Sequence, residues 1–312
     1  MDKYKLSMTP YLKLIVSLPA LLILANCSGA DNTTKADAVS NTNNGKAESA
    51  QVLRIAAAAN LAGILPTVIE AYQAEAAYSK DGQNKDPKNT GNSKPKIEVT
   101  YASSGKLFAQ INSGAPYDLF LSADQAFPAK YAQQQANTKF TTQAPFTYAR
   151  GQLALYSSNQ DLSSIKTLDK ANLQKLFIIQ PNTSSNSVKI TLANPELAPY
   201  GASAKAFLQQ QGVYDELNDS KRLIQAENIG QAFQYAHTAT TDYGFVALSQ
   251  LINAKVEPSK YLALQPESYP AILQDGIVVS DHPKAMDFSQ YLQSESAQSL
   301  FFDAGYLPIT NP

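Results

Sequence analysis

Two short segments hold residues suited to binding an anion. In Ala58-Ala59-Asn60-Leu61 and in Ala102-Ser103-Ser104-Gly105-Lys106, an apolar run gives way to helical spacing through small, amide-bearing or hydroxyl-bearing residues. At such a junction the first backbone N–H groups of the helix have no partner, and the partial positive charge there favours an anion. Asn60 and Ser104 can add side-chain donors. The plain alternative is that Asn60, Ser103 and Ser104 are N-caps and nothing more, since Asn and Ser are favoured at that position in any protein.

Other chemistry has little to build on. The sequence contains no G-x-S-x-G, no P-loop, no H-E-x-x-H and no cysteine pair. Of the two histidines, His237 falls at the end of a helical pattern, where a cation suits the dipole, and His282 precedes Pro283 in a loop. No catalytic residue, direct metal ligand or cofactor is expected. A hydrolase or transferase of phosphate esters would need a base or metal ligands near Asn60 and Ser104. The nearest acidic residues are Asp118, Asp124 and Glu227. Asp124 reads as a helix cap and the other two as local structural partners; any of them entering the site would favour a protonated ligand.

The elements that must position these residues alternate between strand and helix. Residues 52–58 form a short apolar run fit for a buried parallel strand, followed by Leu61, Leu65, Val68, Ile69 and Tyr72 at helical spacing. Residues 79–95 are polar and full of turn formers, which predicts a surface loop insertion before a strand at 96–101. A helix from Gly105, a strand at 117–121 and a helix from Asp124 towards Gln135 follow. In the second half strands are expected at 152–157, 188–193, 221–226 and 243–247, with helices at 202–211, closed by Gly212 as a left-handed cap, and at 230–236. A strand at 276–280 and helices at 283–293 and 294–303 complete an α/β protein with mainly parallel sheets.

The N-terminal part has a different character. Lys3, Lys5 and Lys13 precede an apolar run over 14–24 that is interrupted by Pro19, so 1–26 reads as an export signal. The run ends in Leu24-Ala25-Asn26-Cys27, which resembles a bacterial lipobox and predicts acylation of Cys27, with Asn26 standing where a small residue is usual. Cys27 is the only cysteine, so an internal disulfide is impossible. Residues 27–50 are too polar to offset their ordering entropy and read as a disordered tether. The remaining roughly 260 residues suffice for two domains. A net charge of −1 without a sustained Lys/Arg run argues against nucleic acid as partner.

Taken in order, Ala56-Ala57-Ala58-Ala59-Asn60-Leu61, Ala102-Ser103-Ser104-Gly105-Lys106-Leu107 and the long segment Gly114-Ala115-Pro116-Tyr117-Asp118-Leu119-Phe120-Leu121-Ser122-Ala123-Asp124 resemble the periplasmic molybdate-binding proteins of bacterial ABC importers. The likeness continues through Asn194-Pro195-Glu196, Pro199-Tyr200-Gly201, Glu227-Asn228-Ile229, Tyr243-Gly244-Phe245-Val246-Ala247 and Gly305-Tyr306-Leu307-Pro308. It implies a two-lobed, type II periplasmic-binding-protein fold: two parallel-rich α/β lobes joined by two crossover strands. Lobe 1 would comprise 51–147 and 272–312, and lobe 2 would comprise 148–271. It also implies an exported monomer, held to the membrane through acylated Cys27, that clasps molybdate or tungstate and delivers it to an inner-membrane permease.

Carried over by position, the ligand contacts fall on Asn60 and Ser104 from one lobe and on Tyr200 and Ile229 from the other, with Ala59 and Ser103 adjacent. Some members have a tyrosine where this chain has Ala247, and Tyr200 is expected to supply a phenol instead. Each contact lies at an expected helix start, before 61, 105, 202 and 230, and Ile229 can offer only its backbone N–H. A fully deprotonated dianion accepts hydrogen bonds and offers none, so donors alone suit it, and molybdenum would be present only as the oxyanion. Phosphate keeps a proton near neutrality and would want an acceptor. Sulfate or another small oxyanion would use the same donors and differ in cavity size.

Overall fold

The computed structural model describes residues 52–81, 96–136, 144–178 and 188–309. The export signal, the tether with Cys27 and residues 82–95 of the expected insertion lie outside the described residues.

The chain begins with β1 (Val52–Ala58), a 3-10 turn (Ala59–Gly63), α1 (Leu65–Asp81), β2 (Lys96–Ala102), α2 (Ser104–Asn112), β3 (Leu119–Leu121), α3 (Ala126–Gln135) and β4 (Phe146–Gly151). It continues through β5 (Leu153–Tyr156), α4 (Lys170–Phe177), β6 (Ile190–Ala193), α5 (Pro199–Gln210), α6 (Tyr214–Asp219), β7 (Leu223–Ala226), α7 (Ile229–His237), β8 (Tyr243–Ala247), α8 (Leu248–Asn253) and β9 (Tyr261–Ala263). It ends with β10 (Ile272–Val278), α9 (Pro283–Tyr291) and α10 (Glu295–Asp303).

The strands form two five-stranded sheets of the same design, ordered β2-β1-β3-β10-β4 and β7-β6-β8-β5-β9. In the first, β1 runs parallel to β2 and β3, while β10 runs against both β3 and β4. In the second, β6 runs parallel to β7 and β8, while β5 runs against both β8 and β9. Four of the five strands in each sheet therefore share one direction, and the reversed strand is the one arriving from the other lobe. The chain crosses between β4 and β5 and again between β9 and β10.

Three local expectations are corrected. The first sheet does not end at 147, because Ala149, Arg150 and Gly151 still pair with β10, so the first crossover falls at Gln152. The first helix does not start at 61. Pro66 has no N–H to donate and its ring would clash with the carbonyl four residues earlier, so α1 opens with Pro66 in its first turn and a 3-10 turn fills the gap. Likewise α5 starts at Pro199 rather than 202. Gly212 has φ +66°, the left-handed conformation expected of it just beyond α5.

Each sheet is covered on both faces. Leu53, Ile55, Ala56 and Ala57 of β1 are fully buried, which is why that strand is apolar throughout rather than alternating. In lobe 2, Phe245 of β8 is fully buried and its ring centroid lies 5.9 Å from that of Phe207 on α5. Truncating such a ring leaves a void that the packed core fills only in part. Phe245→Ala is expected to cost about 3–5 kcal/mol, seen as a lower urea midpoint at unchanged slope.

Candidate functional site

Five chain turns, each following the carboxyl end of a strand, converge on one small cavity. Lobe 1 contributes Ala58, Ala59 and Asn60 after β1, Ala102, Ser103 and Ser104 after β2, and Ala123 after β3. Lobe 2 contributes Ala198, Pro199 and Tyr200 after β6, and Asn228 and Ile229 after β7. All six residues singled out for the site, Ala59, Asn60, Ser103, Ser104, Tyr200 and Ile229, thus line the same space.

Their backbone N–H groups are free for a ligand. Ser104 and Ile229 are the first residues of α2 and α7, and Tyr200 is the second of α5, positions with no carbonyl partner within a helix. Ala59 and Asn60 open the 3-10 turn in the same way. Beside Ile229, Asn228 takes the capping role: its side chain accepts from Gln231 N at 3.0 Å. The glycine at 201 lets α5 start close to β6, since a Cβ there would lie 2.1 Å from Ala193 O.

The plain-cap reading does not describe the serines. Ser103 occupies the N-cap position of α2, yet its side chain makes no cap bond, and its Oγ is buried without a partner. Ser104 Oγ accepts from Ala123 N at 2.9 Å, which leaves its own proton to donate. Both residues are buried, at 2% and 1% exposure.

Two side-chain expectations change. Asn60 Nδ2 donates to Gln274 Oε1 at 2.9 Å and to Tyr306 Oη at 3.0 Å, so both its protons are engaged below the cavity. The Tyr200 hydroxyl has a protein partner. It accepts from Gln274 Nε2 at 3.2 Å and packs on Gly151, where a Cβ would lie 2.1 Å from Tyr200 Oη. Neither Gln274 nor Gly151 lines the cavity, while Tyr200 does. Burial pushes the phenols of Tyr148 and Tyr200 well up and that of Tyr306 to about 12, keeping all three neutral. Tyr306 Oη donates to Asn60 O at 3.2 Å. Gln274 was not singled out in the sequence, and Tyr306 only as part of the closing motif; neither lies near a strand-to-helix junction.

No carboxylate, imidazole, thiol or amine lines the cavity. Asp118 accepts from Arg54 N at 2.8 Å and from Ser280 Oγ at 2.6 Å. Asp124 accepts from Phe127 N at 3.1 Å and from Ser122 Oγ at 2.9 Å, so it caps α3 from just outside; burial raises its pKa. Glu227 pairs with Lys106 at 2.5 Å. Among the described residues no group of three or more His, Cys, Asp or Glu could hold a metal ion. The base or metal ligands that a phosphate-ester hydrolase would need beside Asn60 and Ser104 are therefore not part of the lining.

Comparisons with known proteins agree with this geometry. Residues 53–307 match the family model described as bacterial extracellular solute-binding protein. The molybdate-binding protein ModA of Rhodobacter capsulatus is 31% identical over 214 residues, covering 67% of this chain and 77% of that protein. ModA of Azotobacter vinelandii is 29% identical over 257 residues, covering 78% of this chain and 94% of its own. The solved structure of the Azotobacter vinelandii periplasmic molybdate-binding protein superposes with a TM-score of 0.64 at 27% identity, covering 83% of this chain and all of that one. The chain belongs to the bacterial extracellular solute-binding proteins.

Proposed function

We propose that this protein captures molybdate or tungstate between its lobes and delivers it to the permease of an ABC importer. The observation that carries the reading is a small interlobe cavity ringed by backbone N–H groups from four turns, with no carboxylate in its wall. A buried dianion is costly unless each oxygen meets a donor, and neutral donors at helix starts supply that need without a formal positive charge. The names of the relatives from Rhodobacter and Azotobacter support molybdate as the ligand. Sulfate shares the charge and is to be discriminated by size. Acylation of Cys27 after export would place the protein at the membrane that holds the permease.

Closure of the lobes is the conformational work this function needs, and contacts between the lobes support that reading. Gly105 N donates to Leu197 O at 2.9 Å across the cleft, and Lys106 meets Glu227 beside it. On the far side lobe 1 fits against α8: a Cβ on Gly63 would lie 2.8 Å from Asn253 Cγ, and one on Gly305 would lie 2.4 Å from Ile252 Cδ1. Each contact exists only while the lobes are together, so closure is the state a permease can recognise.

Calorimetry with molybdate, tungstate, sulfate and phosphate tests the assignment; sulfate bound as tightly as molybdate would remove the metal-oxyanion specificity. Ser104→Ala is expected to weaken molybdate binding roughly ten- to a hundredfold, the worth of a hydrogen bond to a charged group. Glu227→Gln should raise the molybdate dissociation rate up to about fivefold at low salt, the upper range for an exposed pair, with the difference fading in high salt. Cys27→Ser should abolish incorporation of labelled palmitate and shift the protein from the membrane to the soluble fraction; an unchanged distribution would refute the anchor.

A further inference from the structure

Beside the cavity two buried carboxamides, those of Asn60 and Gln274, are hydrogen-bonded to each other. Gln274 is fully buried on β10, at an irregularity where the register with β4 shifts between Gln274 and Asp275; such a bulge re-aims a side chain. Its Oε1 accepts from Asn60 Nδ2 at 2.9 Å and from Tyr148 Oη at 3.2 Å, and its Nε2 donates to Tyr200 Oη at 3.2 Å.

This pattern leaves three groups poorly served. Asn60 Oδ1, on the branch of the amide opposite the engaged nitrogen, is buried without a partner. The single proton of Tyr148 is claimed both by Gln274 Oε1 and by Ser122 O at 2.7 Å. The Tyr200 hydroxyl accepts a hydrogen bond, while its own proton has no acceptor among the described hydrogen bonds.

A half-turn about its terminal bond exchanges the N and O of a carboxamide and leaves its shape nearly unchanged. When both amides make that turn, Gln274 Nε2 donates to Asn60 Oδ1 and to Tyr148 Oη, and the Tyr148 proton goes wholly to Ser122 O. Tyr200 then donates to Gln274 Oε1, and Asn60 presents its NH2 on the cavity side. All three leftovers are resolved, and the Tyr306 hydroxyl, 3.0 Å from that branch of Asn60, then donates to Asn60 Oδ1 and gives up its bond to Asn60 O. A carbonyl, which repels a dianion, is replaced by two donors.

We propose that Gln274 is a positioning residue of the oxyanion site: a fully deprotonated ligand selects the turned amide pair, and the Tyr200 hydroxyl from the opposite lobe locks it. This rests on the oxyanion reading above. Tyr200 and Gln274 come from different lobes, so the lock forms with closure and couples the orientation of Asn60 to it.

Calorimetry with molybdate on the full chain, for Tyr200→Phe and Gln274→Met alone and each combined with Asn60→Ala, tests the proposal. Each single variant is expected to lose about tenfold in affinity, and the loss should vanish in the Asn60→Ala background because the two residues act only through that amide. In NMR spectra the Asn60 side-chain NH2 signals, identified by their absence in Asn60→Ala, should shift with molybdate in the unmodified protein and much less in Tyr200→Phe. Unchanged affinity in the single variants, or an equal loss with and without Asn60, would overturn the proposal in favour of a purely structural role. If Gln274→Met does not fold, Tyr200→Phe carries the test alone, since it removes one hydroxyl. An unmodified protein that binds none of the oxyanions would instead overturn the functional reading, and this proposal with it.

Discussion

The proposed function requires a small doubly charged ligand to be surrounded by donors that carry no counter-charge of their own. Backbone N–H groups at helix starts meet that need, but one helix start offers only two or three of them, all on one side. Enclosing a tetrahedral ligand takes several starts from opposing directions. The two sheets provide this by sharing one strand order. In lobe 1 the contributing turns follow β1 and β2; in lobe 2 they follow β6 and β7, which occupy the same places in their sheet. The crossovers set the carboxyl ends of both pairs against each other across one cleft.

The same constraint explains the composition of the wall. Ala58, Ala59, Ala102, Ala123 and Ala198 are small, so the backbone itself can approach the ligand. Carboxylates are close in sequence yet held outside by their own partners: Asp118 by the Arg54 backbone, Asp124 by the start of α3 and Glu227 by Lys106. A stray acceptor beside a buried dianion would cost more than most donors contribute, so keeping these three groups occupied matters as much as placing the N–H groups.

What could be read from the sequence divides along the same line. The strand-to-helix junctions at Asn60 and Ser104 are local patterns, the resemblance adds Tyr200 and Ile229, and all four positions lie round one cavity. Lobe architecture followed from the alternation of elements and from the resemblance, although the crossover fell at Gln152 because pairing with β10 continues through Gly151. Side-chain direction was not legible. The partners that turn the Asn60 amide downward, Gln274 and Tyr306, lie 214 and 246 residues away, and no spacing rule links them to it. The partners of the Tyr200 hydroxyl are illegible for the same reason, since Gly151 and Gln274 belong to the crossover region. The 3-10 turn at Ala59–Gly63 has a cause visible in the sequence, the missing N–H of Pro66.

The balance between open and closed lobes then has a physical account. The direct contacts between the lobes are modest: one backbone hydrogen bond, the side-chain hydrogen bond from Gln274 to Tyr200, one exposed ion pair worth about 0–1 kcal/mol, and glycine faces that fit without overlap. Against them stands the burial of polar groups that water serves when the cleft is open, among them Ser103 Oγ and Asn60 Oδ1, each without a protein partner in the closed form. Leaving one such group unsatisfied costs about 1–3 kcal/mol, comparable with everything the direct contacts contribute. A closed, empty cleft is therefore not strongly favoured. A ligand that satisfies those groups stabilises closure by its differential affinity for the two states, and a ligand of the wrong size or protonation leaves part of the cost in place.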